Sequence, residues 1–170
     1  MNVKFLAIGT LVGGIVLFLW GGLTHGLVHV QVREFRDAQA VVRVLHENAP
    51  ENAVYFAPQG AFVSVAFLPD MSDKTKDLTP MLIRQLLTDM LAAALLCLVL
   101  PGIVAATVLR RALWLGLFGL AFVALKILPY STWYGFSAPF IGMEVFDVVG
   151  KLFLAGLVLG ALMKKLAPAA

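Results

Sequence analysis

Four long apolar runs constrain the fold of this chain more than any other feature of its sequence. They extend from about Phe5 to Leu23, Met81 to Leu109, Ala112 to Leu128, and Phe140 to Met163. Each run reaches the roughly 17 to 25 residues that an α-helix needs to cross the hydrocarbon of a bilayer. The 170 residues are 61% hydrophobic, which exceeds the apolar share of about half in soluble domains. The sequence therefore predicts an all-α membrane protein, a four-transmembrane-helix bundle.

Basic residues at the ends of the runs predict the orientation of the bundle. They are Lys4, the pair Arg110 and Arg111, and the pair Lys164 and Lys165. Four crossings place all five on one side of the membrane, and the positive-inside rule makes that side cytoplasmic. We interpret the first run as a retained helix and not as a cleaved signal peptide. The expected location is multi-pass in the bacterial inner membrane, with both termini cytoplasmic.

The polar segment between the first two runs predicts a small extracytoplasmic insertion. The expected parts of the chain are transmembrane helix 1 over 1–29, the insertion over 30–79, and transmembrane helices 2–4 over 80–170.

Within the insertion, capping and turn residues predict an α+β structure, a short helix followed by a β-hairpin. Asp37 is a suitable N-cap for an amphipathic helix. The β-branched and aromatic stretches Ala53–Ala57 and Ala61–Phe67 are joined by Pro58, Gln59 and Gly60, which is typical of a hairpin. Two strands alone are marginally stable, so the hairpin needs support from the helix, the bilayer or a partner.

Six charged residues fall within the apolar runs: Arg84, Asp89, Lys126, Glu144, Asp147 and Lys151. Such groups are costly in lipid, so we expect them to face the bundle interior or a partner. The rise per residue places Lys126 and Lys151 roughly 20 Å from the cytoplasmic ends, and Asp89 and Glu144 near about 30 Å. The spacing of Asp147 and Lys151 allows an ion pair, with Lys126 expected to be shared with Asp147 or Asp89.

Two interpretations of this polar cluster stay open. In one, the charges reach the outer interface or pair with one another and fix the register of the helices. In the other, they form an outward-opening pocket for an anionic or quinone-like head group, or a proton relay. Aromatic residues near the span ends are expected to anchor the interface: Trp20, Tyr130, Trp133 and Tyr134. Arg84 and the last three of these are also expected to line that pocket.

Histidine spacing offers weak candidates for metal ligands. His25 and His29 lie four residues apart, which puts both imidazoles on one helix face. A closed site needs further ligands, and no HExxH or CxxC motif accompanies them. We therefore predict no metal and no bound cofactor, with a lipid or quinone as the alternative ligand. The single Cys97 lies inside an apolar run and is expected in the core.

Glycine pairs spaced four apart predict close approaches of helices, within this bundle or against another subunit. The pairs are Gly9 with Gly13, Gly22 with Gly26, and Gly156 with Gly160. Pro101 and Gly102 lie inside the second apolar run and are expected to kink that helix.

Three short motifs resemble a family of small four-span bacterial membrane proteins with no established activity. They begin at Phe18 (FLWGGLTH), at Val54 (VYFAP) and at Leu128 (LPYSTWYGF). The resemblance implies four spans and an outer loop, and it supplies no catalytic residues. The order of one span, a β-containing loop and three spans is also similar in layout to claudin-like and anthrone-oxygenase-like proteins.

These patterns favour a non-catalytic function. We expect an accessory or assembly subunit of a larger membrane complex, respiratory or photosynthetic, with lipids and other membrane subunits or a second copy as partners. The alternative is an outer-leaflet site for a small molecule, in a quinone-linked oxidoreductase or a small-anion transporter. Nucleic-acid binding is not implied, because the span ends account for much of the net charge of +3.

Overall fold

The computed structural model describes residues 2–27, 35–49, 51–57, 60–67, 77–104 and 107–166. The chain divides into two compact units, Met1–Gln31 with Pro80–Ala170, and Val32–Thr79. In chain order the elements are α1 (Val3–Leu27), α2 (Ala38–Asn48), β1 (Ala53–Ala57), β2 (Ala61–Val65), α3 (Thr79–Val99), α4 (Val108–Phe122), α5 (Leu128–Tyr134) and α6 (Ala138–Leu166).

The first unit contains four helical stretches that are long and apolar enough to cross a membrane. They are Val3–Gly26, Thr79–Gly102, Val108–Tyr134 and Ala138–Leu166. The prediction of four apolar helices is confirmed, and this arrangement fits a multi-pass membrane protein. Most large side chains on the outside of these helices are apolar, as a lipid-facing surface requires.

The boundary between the second and third stretches differs from the prediction. A 3₁₀ turn over Leu100–Gly102 ends the α3 stretch, and α4 begins at Val108 with Thr107 as its N-cap. The predicted kink at Pro101 is therefore wrong, as are the predicted end at Leu109 and start at Ala112. Pro101 removes a backbone donor and Gly102 favours a helix end, so the helix stops there although the apolar composition continues.

The third helical stretch also extends further than predicted. A π-helical turn over Val123–Ile127 connects α4 to α5, and the helical residues continue to Tyr134 instead of ending at Leu128. Pro129 is tolerated because it lies in the first turn of α5, where a missing N–H costs little. Gly135, with a φ of 68°, then ends α5 in the left-handed conformation that glycine adopts without strain.

Glycines let α1, α3, α4 and α6 approach each other within this unit. A Cβ atom added at Gly13 would lie 3.0 Å from both Ala93 on α3 and Leu159 on α6. At Gly156, an added Cβ would overlap the backbone of Ala112 on α4. Gly160 faces Val108 and Arg111, also on α4. The predicted close approaches at these glycines thus occur inside the chain.

Not every glycine pair is used in this way. An added Cβ at Gly22 or at Gly26 would meet nothing within 4 Å among the described residues. The surface of α1 at these two glycines is therefore not covered by any other described residue.

The basic helix ends meet at one end of the first unit. Asn2, just before α1, donates a hydrogen bond from its side-chain amide to the carbonyl of Leu166 at the end of α6, at 2.9 Å. Because Gly160 faces the first turn of α4, the start of α4 lies at the same end. Lys4, Arg110 and Lys164 therefore share one end of the bundle.

The core of the first unit lies where α1, α3, α4 and α6 meet. Its largest fully buried side chains are Leu17, Leu100, Leu115, Leu159 and Cys97. α1, α4 and α6 contribute one of them each, and Cys97 and Leu100 come from the second helical stretch. Their packing holds the four helical stretches side by side. The prediction that Cys97 is a core residue is confirmed.

The second unit consists of α2 and a two-stranded antiparallel sheet. Asp37 accepts a hydrogen bond from the backbone N–H of Ala40 at 2.9 Å, which confirms the predicted N-cap of α2. β1 pairs with β2 so that Tyr55 lies opposite Val63, which confirms the predicted hairpin. His46 on α2 stacks on Phe67, with ring centroids 4.0 Å apart, so the helix supports the residues that follow β2.

Asp77 lies two residues before the start of α3. Its carboxylate accepts a hydrogen bond from the backbone N–H of Thr79 at 2.9 Å. Two hydrogen bonds from Thr79 hold the pKa of Asp77 below its ordinary value of 3.8, and the one from the side chain has a larger effect than the one from the backbone. Asp77 is thus an anion at neutral pH, placed where the dipole of α3 favours negative charge.

Candidate functional site

Two carboxylates and one ammonium group meet inside the helical bundle. Lys151 Nζ on α6 lies 3.7 Å from Asp89 Oδ1 on α3 and 3.8 Å from Asp147 Oδ2 on α6. Asp89 is 4% exposed and Asp147 is 7% exposed. We name these three residues the Asp–Lys–Asp cluster. Its two ion pairs are loose, because both distances exceed the range of a direct hydrogen bond.

Each carboxylate has one further hydrogen-bond donor. The Thr24 hydroxyl on α1 donates to Asp147 Oδ1 at 2.6 Å, and Gln85 Nε2 donates to Asp89 Oδ2 at 3.0 Å. Thr24 is itself 3% exposed, so α1 closes the cluster on one side.

Trp20 holds α1 against α6 beside the cluster. Its indole Nε1 donates a hydrogen bond to the carbonyl of Asp147 at 3.1 Å. Its ring occupies the space where Gly150 lacks a side chain, and it packs against Phe146 with centroids 5.4 Å apart. Any side chain at position 150 would displace the ring, so the glycine permits this contact. Trp20 therefore positions Asp147 in addition to its predicted role at the interface.

His25 connects the cluster to the exposed surface of α1. Its Nδ1 lies 3.0 Å from the carbonyl of Gly21 and 3.2 Å from the Thr24 hydroxyl. A carbonyl can only accept, so the contact with Gly21 is a hydrogen bond when Nδ1 carries a hydrogen. Polar atoms are thus continuous from His25 through Thr24 to Asp147.

The corrected end of the second helical stretch brings Asp89 to the depth of Lys151. Asp89 lies thirteen residues before Gly102, and Lys151 lies thirteen residues before Lys164. Both distances correspond to roughly 20 Å of helix. The predicted depth of about 30 Å for Asp89 was too great, because it was counted from Leu109.

Lys126 lies outside the cluster, contrary to the expectation that it would be shared with Asp147 or Asp89. The π turn buries Val123 and Ile127 and leaves Lys126 exposed. Its Nζ lies 5.7 Å from the centroid of the Tyr130 ring. Lys151 occupies the position between the two carboxylates that was expected for Lys126.

The remaining members of the predicted polar set also lie apart from the cluster. Glu144 is half-buried on α6, one turn before Asp147, and Arg84 is exposed on α3. Neither residue forms an ion pair with another described residue. Among the described residues, no ion pair joins Arg84 to the cluster, and the pocket expected to combine them stays a prediction.

The aromatic residues of α5 form a separate group. Tyr130 packs against Tyr134 and Phe136, with centroids 5.9 and 5.6 Å apart. Trp133 is 79% exposed. Amphipathic rings of this kind are typical of the membrane–water interface.

The histidine pair falls partly outside the described residues. His25 lies at the end of α1, whereas His29 is not among the residues that the structure describes. Among those described, no three or more His, Cys, Asp or Glu side chains are grouped to hold a metal ion.

Two members of the site were missed in the sequence. Gln85 lies four residues before Asp89, a spacing that puts both side chains on one helix face. Thr24 lies four residues after Trp20, so these two polar groups of the first apolar run also share a face. Their spacing was a usable signal, but it does not reveal that α1 and α3 both meet α6 at Asp147 and Lys151.

The fold and the site together define a class, a helical bundle with four apolar helices of membrane-spanning length and a buried charged cluster. Comparisons with models of protein families, with curated proteins and with solved structures give no match to this chain. The functional argument therefore rests on the site itself.

Proposed function

We propose that this protein is a non-catalytic, multi-pass membrane protein that takes up and releases a proton at the Asp–Lys–Asp cluster. The observation that carries the proposal is that Lys151 lies within 4 Å of two buried carboxylates from two helices. The cluster has two negative charges and one positive charge when all three groups are ionised. A net charge is costly at membrane depth, and one added proton makes the cluster neutral.

The same charge balance argues against an anionic ligand. The excess negative charge of Asp89 and Asp147 repels anions, so transport of small anions is the weaker alternative. A proton needs no coordination shell, whereas a metal cation needs several oxygen ligands. The polar atoms from His25 to Thr24 give the proton a route to Asp147 from the surface of α1.

The proposed orientation makes this route face outward. Lys4, Arg110 and Lys164 share one end of the bundle, and the positive-inside rule assigns that end to the cytoplasm. His25 lies at the opposite end of α1, next to the unit that contains the hairpin in sequence. We propose a bacterial inner membrane location with cytoplasmic termini and an extracytoplasmic segment 30–79.

Infrared difference spectroscopy tests the proton site directly. The full chain is reconstituted in lipid vesicles, and spectra at acidic and neutral pH are subtracted. We expect the carbonyl band of one protonated carboxylic acid per chain to appear on acidification, because the cluster then becomes neutral. Asp147→Asn and Asp89→Asn are each expected to remove or shift this band, since the two carboxylates share Lys151.

The matched control is Glu144→Gln, which removes a carboxylate one turn from Asp147 but outside the ion pairs. It is expected to leave the band unchanged. Circular dichroism of each variant establishes that the helices remain folded. If Asp89 and Asp147 stay ionised at every pH at which the bundle is folded, the cluster is a permanent ion pair and the proposal is wrong.

A second candidate function is the accessory or assembly subunit, supported by the exposed face of the hairpin. Val54 and Phe56 on β1 are 60% and 71% exposed. Aromatic and aliphatic side chains exposed side by side on a sheet are typical of a surface that another protein covers.

Gentle extraction followed by native electrophoresis tests this second function. If Val54 and Phe56 dock onto a partner, Phe56→Ser is expected to release the protein from a larger complex. The control is Val44→Ser, which changes a residue on α2 that is also exposed, at 51%. Wild-type protein that migrates alone at its natural level, with no complex to dissociate, would contradict the accessory function.

A further inference from the structure

An apolar groove of about 640 Å³ lies between α4 and α6. The residues that shape it include Gly116, Leu117, Leu120, Phe146, Gly150 and Phe153. Its volume falls within the range of about 300–1,000 Å³ that is typical of small-molecule sites. The groove therefore has room for a ligand, and its lining selects an apolar one.

Gly116 adds to the depth of the groove. At Gly116, an added Cβ would lie 3.8 Å from the nearest atoms of Phe153, so the missing side chain leaves space that no neighbour fills. Gly150 also lines the groove, but its missing side chain makes room for the Trp20 ring. The leucines and phenylalanines on either side form walls. This shape accommodates a linear hydrocarbon chain lying along the helices.

Positive charge stands at one end of the groove. Arg110 lies three residues before Leu113, so it continues the stripe formed by Leu113, Leu117 and Leu120 along α4. Arg110, Leu113 and Leu117 also line a smaller hollow of about 220 Å³, which continues the groove through the two shared leucines. On α6, Lys164 follows Phe153 by eleven residues, three helical turns on the same face.

We infer that this groove binds one molecule of an anionic phospholipid, independently of the proton site. An acyl chain lies between α4 and α6, and the phosphate group accepts hydrogen bonds from the Arg110 guanidinium. Guanidinium groups bind phosphate in a bidentate manner, which makes the arginine selective for this head group. The apolar lining of the groove matches the acyl chain of the lipid, and Arg110 at the end of the groove matches the phosphate group.

The charge also argues against a partner helix as the occupant. A second transmembrane helix would cover the apolar lining of the groove. Its cytoplasmic end, however, would tend to be basic like that of α4, and it would repel Arg110. A phospholipid supplies an anion at that depth in every membrane that contains acidic lipids.

Native mass spectrometry of the full chain tests the inference. The protein is released from bilayers that contain phosphatidylglycerol and phosphatidylcholine in equal amounts. The lipid that remains bound is identified from the mass of the complex. We expect one phosphatidylglycerol to be retained in preference to phosphatidylcholine. Arg110→Gln is expected to lower this preference about tenfold, because it removes a hydrogen bond between charged groups.

Filling the groove provides the second variant. Gly116→Leu adds a side chain to the floor and is expected to abolish retention of both lipids. If that variant does not fold by circular dichroism, Leu117→Gln makes one wall polar and is expected to reduce retention of both lipids in the same way.

The charge control is Arg84→Gln, which removes an exposed arginine at the opposite end of the bundle. It is expected to retain phosphatidylglycerol as the wild type does. Equal retention of the two lipids by the wild type would overturn the inference, as would an equal effect of Arg84→Gln and Arg110→Gln. A dimer that retains no lipid and is broken by Gly116→Leu would also overturn it, by assigning the groove to a second copy.

Discussion

Gly156→Ala is expected to destabilise the bundle by about 1–3 kcal/mol, which is large for the addition of one methyl group. The new Cβ would overlap the Cα of Ala112 on α4 and lie 3.1 Å from its backbone nitrogen. Backbone atoms cannot rotate away as a flexible side chain does, so α4 and α6 must separate. That separation also weakens the contacts of Leu115 and Leu159, both fully buried near this crossing.

The measurement is the free energy of unfolding in mixed micelles, obtained from the loss of helical circular dichroism as a denaturing detergent is added. The matched control is Gly142→Ala on the same helix, because an added Cβ there meets nothing within 4 Å. Alanine is the better helix former by up to about 1 kcal/mol, so the control is expected to be neutral or stabilising. Equal effects at the two positions would mean that α4 and α6 do not cross at Gly156.

Lys151→Met is expected to cost about 3 kcal/mol of stability, the lower end of the range for breaking a buried ion pair. The substitution leaves the buried carboxylates of Asp89 and Asp147 without the cation that they share. We choose the lower end because the Lys151 side chain is 21% exposed and its pairs are loose. The measurement is again detergent-induced unfolding of the reconstituted bundle, at neutral pH.

Two comparisons separate charge from packing in this experiment. The second variant, Asp89→Asn with Lys151→Met, removes one carboxylate and is expected to recover part of the lost stability, a coupling that a double-mutant cycle measures. Lys126→Met serves as the surface control, and it is expected to change stability by less than about 0.5 kcal/mol. A loss as large in Lys126→Met as in Lys151→Met would contradict the central place of Lys151.

Gly156 packs inside the bundle, so its substitution does not test whether the protein is an accessory subunit. The glycine pairs at Gly9 with Gly13 and at Gly156 with Gly160 serve contacts within the chain. Substituting them would disrupt the bundle itself and would not report on a partner. The exposed residues Val54 and Phe56 are better probes, because they lie in the second unit and outside the helical bundle.

The ends of the helices and strands show which features short sequence patterns predict correctly. Asp37 caps α2, and β1 pairs with β2, both as the sequence predicts. Pro101 and Gly102 carried an equally local signal for a helix end. The apolar composition continues past them, and hydropathy alone does not distinguish a kinked span from two spans in succession.

The four apolar helices, the α2 cap, the hairpin and the spacing of Asp147 and Lys151 are all predictable from the sequence, because each depends on residues close together in the chain. The packing of the helices reveals that Asp89 and Thr24 join Lys151 and Asp147, and that Lys126 does not. Those contacts depend on which helices are neighbours and how each is rotated. Rotation is set by the packing of Gly13, Gly156 and the buried leucines across helices, which no single helix specifies.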